Sequence, residues 1–459
     1  DCPFKKRVIT GKIMTSVIEL AKKIALPSSN QVSKVNKNAN EAFKLVNKEC
    51  TNHNEVVSIQ FGGSYAKGTW TPEKIDIDIF VKLKKSTSEK KFLELAKKIG
   101  FNALKKYKPY VRYSEHPFVE ALVGGTLVNV VPCYDVKKGE WKSAADRSTF
   151  HTEFMSEKLT GQMKNDISLL KCMMKANGVY GAEIANQGFS GYVTEVLVYY
   201  FGSFSNVLKE VSKIKKNGRI GKSPRKFDSP IIIIDPIDGN RNLGAAISME
   251  NVAKFVLLSR VYLKKPSLSF FKSKKIKPKN EKRLIKNTIV ISFSYKNRSE
   301  DIIFGQIKRA ANSFESQLTQ EGFRVLRNDA MIYDNEKAAI LILLEDILVN
   351  KNQIKTGPEF FEDKYSNKFI QVNVKKSKLM WVDKHGKLQS VQKRNYYDAK
   401  MFLNKMLKMN LTKFGIPKGL QNDFKMHFSV ILGDKITNKS IKTAISKLTS
   451  TNATIFSSN

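Results

Sequence analysis

Residues 61–80 read FGGSYAKGTWTPEKIDIDIF, and the end of that stretch has the alternation of a β-strand. Successive side chains of a strand point to opposite faces, so Asp76, Asp78 and Phe80 share one face and Ile75, Ile77 and Ile79 the other. The isoleucines anchor the strand in a core, and the two aspartates project together. Like charges that close repel unless a cation lies between them. Oxygen donors with no His or Cys beside them suit Mg²⁺, which keeps several waters and takes phosphate oxygens as further ligands. Upstream, Gly62-Gly63-Ser64 has what a phosphate requires. The glycines allow close backbone approach, the serine donates a hydroxyl, and a following helix aims its N-terminus at the anion. Lys67 sits one turn further on. Alone, a DxD strand is commonly a solvated edge and GGS a turn; the order strand, GGS, short helix, DxD strand is specific.

The rest of the chain fits that start. It has 459 residues, 41% of them hydrophobic, enough for about three globular domains. Lys and Arg number 80 against 42 Asp and Glu, a formal net charge of +38. An AT-rich genome, which favours Lys, Asn and Ile codons, explains part of this excess. The remainder points to a polyanionic partner, nucleic acid first. Cys2, Cys50, Cys133 and Cys172 form no CxxC pair, and the five histidines form no ligand cluster. This predicts a reducing, cytoplasmic setting without structural zinc. No apolar run approaches the ~20 residues of a membrane span, and no signal peptide is visible. The absence of an initial Met is compatible with trimming.

Periodicity predicts helices over 13–27 and 38–50 and strands over 56–62 and 75–83. It predicts a helix from a Ser86/Glu89 capping box to about 106, then a hairpin of strands 118–123 and 126–132 around Gly124-Gly125. From 151 to about 265 the pattern is helical. One helix carries Leu169, Leu170, Met173 and Met174, another covers 191–204, and a buried strand Ile231–Ile234 leads into Asp235-Pro236. A Lys-rich run, KSKKIKPKNEKR, marks a boundary. Beyond it come a strand (288–295), a helix (301–320) and strands 323–330 and 337–345. Residues 391–459 are polar and weakly patterned.

GGSYAKGTW, YSEHPFVEALVGG, VVPCYDV, AADRSTFH, LLKCMMKANGVYGAE, GFSGYVTEVLVYYFGSF, IIIIDPIDGNRNLGAAIS and PSLSFFK follow one another. The opening of this series resembles the palm of the DNA polymerase beta nucleotidyltransferase superfamily. The whole series, over roughly residues 40–365, resembles archaeal class I CCA-adding enzymes. The resemblance implies a multidomain α+β chain. Helices at 1–56 pack with the neck; a nucleotidyltransferase head with a mixed sheet spans 57–150. A helical, base-recognising neck covers 151–265 and a small α+β body 266–350. An α/β tail with the C-terminal part of the body, tRNA-binding, takes 351–459. It implies untemplated addition of C, C and A to the tRNA 3′ end from CTP and ATP, with pyrophosphate released.

By the same resemblance, Gly63, Ser64 and Lys67 hold the triphosphate, and Asp76 and Asp78 bind two Mg²⁺ ions. Ser148, His151, Lys171 and Tyr180 clamp ribose and triphosphate, and Arg241 reads the incoming base with a fork suited to C and A. Taken singly, Lys171 reads as a surface charge, Tyr180 as a core edge and His151 as structural. The family's third catalytic carboxylate, in a run like VDVVPCY, falls on Asn129 in LVNVVPCY. An amide oxygen can ligate a metal but brings no charge and accepts no proton. The expectation is a chain that binds nucleotide and tRNA but is impaired in chemistry, the second ion being weakened. Glu120 and Asp135 are candidate substitutes for the missing acid; Pro132 intervenes before Asp135.

tRNA would be met through phosphates and 2′-hydroxyls of its acceptor–T arm. Basic stretches at Lys213–Lys216, Lys222 to Lys226, Lys272–Lys282 and Lys308-Arg309 fit that partner. A homodimer is compatible with the sequence, which does not fix the oligomeric state. Two rivals remain: a terminal adenylyl- or uridylyltransferase acting on other RNA, and a non-catalytic RNA-binding relative, favoured by Asn129.

Overall fold

The computed structural model describes residues 3–73, 75–113, 116–273, 282–296, 298–334 and 336–456. The chain divides into two compact units, Asp1–Lys274 with Asn452–Asn459, and Lys275–Thr451.

The first unit begins with α1 (Pro3–Ala25) and α2 (Ser29–Cys50). A capping box between Ser28 and Gln31 starts α2 well before the apolar stripe becomes visible in the sequence. There follow β1 (Val56–Gly62), α3 (Gly63–Lys67), β2 (Asp76–Lys84), α4 (Glu89–Ala103), β3 (Tyr110–Tyr113), β4 (Pro117–Val123) and β5 (Thr126–Asp135). The strands form one mixed sheet in the order β1-β2-β5-β4-β3. Strands β2 and β5 run parallel; the other neighbours are antiparallel. Gly124 and Gly125 turn the β4–β5 hairpin with φ of +57° and +83°, the left-handed pair that a tight hairpin needs. The cap of α4 is Ser88, which accepts from Lys91 N, and not the predicted Ser86. The predicted extension to residue 106 is replaced by a 3-10 turn over Lys105–Tyr107.

One face of this sheet is closed by α2 and α4. Ile77, Ile79, Val81 and Leu83 bury there against Val35, Ala39, Ala42 and Val46 of α2 and Phe92, Leu95 and Ile99 of α4. The period of two then forces Asp76 and Asp78 onto the opposite face.

The helical part of the unit contains α5 (Ala144–Lys158), α6 (Gly161–Ala176), α7 (Gly191–Phe201), α8 (Phe204–Ser212) and α9 (Met249–Lys264). Ser or Thr side chains cap all five: Ser143, Thr160, Ser190, Ser203 and Ser248. The predicted helix over 191–204 breaks at Gly202, whose φ of +80° ends α7 before Ser203 starts α8. Leu169, Leu170, Met173 and Met174 bury in a core with Phe189, Phe255 and Tyr262, joined by Ala21 and Ala25 of α1. A small sheet, β6 (Gly218–Ile220), β7 (Ile231–Asp235) and β8 (Asp238–Asn242), flanks the helices.

The second unit comprises α10 (Lys282–Lys286), β9 (Thr288–Ser294), α11 (Glu300–Gln320), β10 (Val325–Tyr333), β11 (Lys337–Leu344), β12 (Asn352–Glu359), α12 (Asp363–Asn373), β13 (Ser377–Val382), β14 (Lys387–Lys393), α13 (Ala399–Leu407), α14 (Lys418–Met426), β15 (Phe428–Leu432) and α15 (Lys439–Leu448). A four-stranded sheet, β10-β11-β9-β15, is covered on both faces, so β11 reads KAAILILL without alternation. A three-stranded sheet, β12-β14-β13, stands with α12. The polar, weakly patterned end proves ordered: β15 completes the larger sheet beside β9. A short α16 (Ala453–Phe456) belongs to the first unit, where Ile455 is buried in the helical core. Of the Lys-rich run 272–283, residues 274–281 lie outside the described residues, as does Cys2. Among the described residues, no helix is long and apolar enough to cross a membrane.

Candidate active site

The face opposite α2 and α4 carries a row of positions in register across four strands. Gly62 on β1 faces Asp78 on β2, Asp78 faces Asn129 on β5, and Asn129 faces Glu120 on β4. Asn129 Nδ2 donates to Asp78 Oδ1 at 2.9 Å. Gly63 follows the row with φ +63°, and a Cβ placed there would lie 2.0 Å from Asp78 Oδ2. Only glycine allows both the backbone turn and that approach. Burial pushes the Asp78 carboxyl above its ordinary range, and the charge of Asp76 adds to this against the Asn129 hydrogen bond and Lys67.

Asn129 is 9% exposed, and its Oδ1 is buried without a hydrogen-bond partner. A buried oxygen acceptor with nothing to accept from, beside a carboxylate raised by burial and by a neighbouring acid, suits a hard cation. Among the described residues, however, no three or more Asp, Glu, His or Cys side chains gather as a metal group. The donors are two aspartates and an amide. Of the two candidate substitute acids, Asp135 is exposed at the far end of β5 opposite Lys84. Glu120 is buried directly across from Asn129 and is held by Tyr110 Oη and Arg112.

Lys67 and Lys171 meet on one buried carboxylate. Glu195, from α7, takes Lys67 Nζ at 2.5 Å and Lys171 Nζ at 3.0 Å, and also accepts from Thr69 Oγ1 at 2.6 Å. Lys171 further donates to the Thr69 carbonyl at 3.0 Å. Burial opposes the Glu195 charge, yet two ammonium groups against one carboxylate overcome it and bring the carboxyl down to about 2. Lys171 is pulled down by burial and faces the like charge of Lys67 as well as its partner. The sequence gives Glu195 away only as a lone charge in the apolar run GYVTEVLVYYF.

A second buried carboxylate, Asp235, gathers donors from three elements. Its Oδ2 lies 3.0 Å from His151 Nε2 of α5 and 3.1 Å from Arg241 Nη1 of β8. Its Oδ1 accepts from Tyr192 Oη of α7 at 2.9 Å and from Ile237 N at 3.1 Å. Tyr192 stacks on His151 with ring centroids 3.7 Å apart, and Lys67 Nζ lies 5.7 Å from its ring centroid. Thus Tyr192 links the two carboxylate centres. Burial holds His151 below its ordinary range, although Asp235 works the other way. In the sequence Asp235-Pro236 shows only as a rigid turn, and nothing in the residues around it marks Tyr192.

Tyr180 bridges to Phe189, and both its hydroxyl and Lys171 Nζ approach Gly191, where a Cβ would be 3.0 and 3.7 Å away. Ser148 lies one turn before His151 on α5, and its Oγ donates to the Ala144 carbonyl.

A GGS loop and DxD strand on a mixed sheet, followed by helices that supply the buried Lys171 and Glu195, define a nucleotidyltransferase. Residues 44–154 match the nucleotidyltransferase domain family, 165–272 the second domain of tRNA nucleotidyltransferase, and 286–433 the C-terminal domain of the CCA-adding enzyme. Curated CCA-adding enzymes are similar: that of Saccharolobus islandicus is 37% identical, covering 75% of this chain and 82% of the relative. Those of Sulfurisphaera tokodaii (37%, covering 73% and 80%) and Pyrobaculum neutrophilum (34%, covering 78% and 86%) follow. The chain belongs to the CCA-adding enzyme family. Among solved structures, E. coli CdnC with ATP matches at TM-score 0.43 and 14% identity, over 56% of this chain and 94% of that one.

Proposed function

We propose that the chain adds C, C and A to the 3′ end of tRNA from CTP and ATP, at a rate lowered by Asn129. The terminal 3′-hydroxyl oxygen attacks the α-phosphorus and gives its proton to solvent water, the bond from that phosphorus to the bridging oxygen breaks, and pyrophosphate leaves. The observation that carries this reading is the Asp78–Asn129 contact beside Gly63, in a chain whose relatives are CCA-adding enzymes. Asp76 and Asp78 would hold two Mg²⁺ ions, with Asn129 Oδ1 a neutral ligand to the second. Bound there, Mg²⁺ supplies charge stabilisation for the phosphates and lowers the pKa of the attacking hydroxyl. Gly63 keeps the backbone clear of the Asp78 carboxylate. Ser64 would offer its hydroxyl to the triphosphate, and Lys67, whose ammonium is tied to buried Glu195, would hold the loop that carries it. Asn129 cannot take the 3′-hydroxyl proton, as a carboxylate there could. A thousandfold deficit corresponds to about 4 kcal/mol of transition-state stabilisation.

The test is Asn129→Asp, assayed for CMP and AMP addition to tRNA lacking its terminal CCA. The rate should rise by orders of magnitude; an unchanged rate refutes the role given to position 129. Asn129 itself favours one rival, a non-catalytic RNA binder. Metal-dependent binding of CTP, followed by its incorporation in the Asp variant, separates the two. Product sequencing with CTP, ATP or UTP alone separates CCA addition from adenylyl or uridylyl transfer.

A further inference from the structure

Asp235 is 1% exposed and accepts from four donors, as many as a carboxylate can accommodate. Four donors on one buried anion fix the directions of the groups that carry them. One of these is Arg241, whose side chain is 37% exposed while its Nη1 is anchored on the buried oxygen. Burial keeps His151 below its ordinary range. At neutral pH the imidazole is therefore uncharged, with its proton on Nε2 toward Asp235. Arg241 is then the cation that balances Asp235, and its orientation depends on that pairing. The opposite side of the cluster is fixed too, because Tyr192 is tied to Asp235 through its hydroxyl and to His151 through its ring face.

Resting on the proposed function, we infer that Asp235, with Tyr192, is a positioning residue for base selection: it aims the free donors of Arg241 at the ring edge of the incoming nucleotide. A guanidinium is donor-only. Cytosine N3 and adenine N1 are bare acceptors next to an amino group. Uracil and guanine carry an N–H at the corresponding place. A donor fixed in direction meets the first pair and opposes the second. A fork free to swing would find another acceptor on uracil or guanine, so discrimination requires the anchor and not only the arginine.

The variants are Asp235→Asn, which retains size and removes the charge, and Tyr192→Phe, which retains the ring on His151 and removes only the hydroxyl. Each is compared with the parent for equilibrium binding of CTP and UTP in the presence of Mg²⁺, and for single-turnover CMP and UMP addition to tRNA lacking its CCA end. Asp235→Asn should lose about tenfold or more of the preference for CTP over UTP, chiefly through weaker CTP binding. Tyr192→Phe should lose a smaller part of it. If both nucleotides weaken in proportion, or the preference is unchanged, Asp235 is merely structural and the inference is overturned. A parent that binds CTP over UTP yet adds no CMP, even as Asn129→Asp, sinks the proposed function and leaves the inference to the binding result. A parent with no preference in either measurement overturns both.

Discussion

Lys67 and Glu195 are 128 residues apart in the chain and meet at 2.5 Å with both side chains buried. Lys67 closes the turn that carries Gly63 and Ser64, and Glu195 sits mid-helix in α7. The GGS loop is thus tied to the helical part of its unit by a pair that water scarcely reaches. Lys171 shares the same carboxylate, so the loop, α6 and α7 converge on a single anion.

Removing that anion leaves two buried ammonium groups uncompensated. Glu195→Gln should cost about 3–5 kcal/mol, read from denaturant unfolding. A loss under about 1 kcal/mol would mean that Lys67 and Lys171 find water in the folded state.

The same carboxylate gives the chain an acid-sensitive segment. The folded value of about 2 lies below the ordinary 4.5. Its contribution is therefore complete above the ordinary value and disappears as pH falls from about 4.5 toward 2. Glu195→Gln should lack that segment of the pH profile, so the stability gap between variant and parent should narrow with acidification. Parallel curves through that window would contradict the ion-pair assignment.

His151 provides a separate spectroscopic check. Its imidazole should titrate below 6.5 by NMR, because burial disfavours the cation. The unfolded chain takes up that proton at higher pH, so this term costs stability as pH falls below about 6.5. A midpoint at or above 6.5 would show that Asp235 outweighs burial.

Gly63→Ala separates site geometry from fold. The residue sits at φ +63°, and the added methyl would come within 2.0 Å of Asp78 Oδ2. The backbone strain costs about 1–2 kcal/mol, leaving a folded chain by circular dichroism. Displacement of Asp78 should abolish nucleotide addition and weaken Mn²⁺ binding. Full activity would place the reaction elsewhere.

The charge of +38 should appear in RNA binding. With roughly 6–10 phosphates contacted, affinity falls by about 10³–10⁵-fold between roughly 50 and 200 mM salt. A nearly flat response in a filter-binding titration would exclude a phosphate-dominated interface.

What the sequence made legible was local. The period of two in IDIDIF placed Ile77 and Ile79 in the core and Asp76 and Asp78 opposite, because alternation needs no tertiary information. Gly63 could be recognised as a turn, and the structure adds that Asp78 leaves no room there for a side chain. Glu195 could not be assigned from its own neighbourhood. Its partners lie 128 and 24 residues away, and a single acid in an apolar helix does not announce which cations it will meet. Tyr192 was hidden for the same reason, its partner Asp235 being 43 residues on. Within α4 the competing serines at 86 and 88 shifted the cap by two residues, a choice set by which hydroxyl reaches a free N–H. The order in residues 391–459 was obscured because β15 gains its definition by pairing with β9, far upstream.

The placement of α16 has a bearing on how the protein can be taken apart. Because Ile455 is buried in the helical core of the first unit, the chain passes from that unit into the second and back again. The second unit is thus an insertion with two covalent joints. A protease that cuts one joint leaves the halves linked through the other. Synthesis must also run past the inserted unit before the last side chain of that core becomes available.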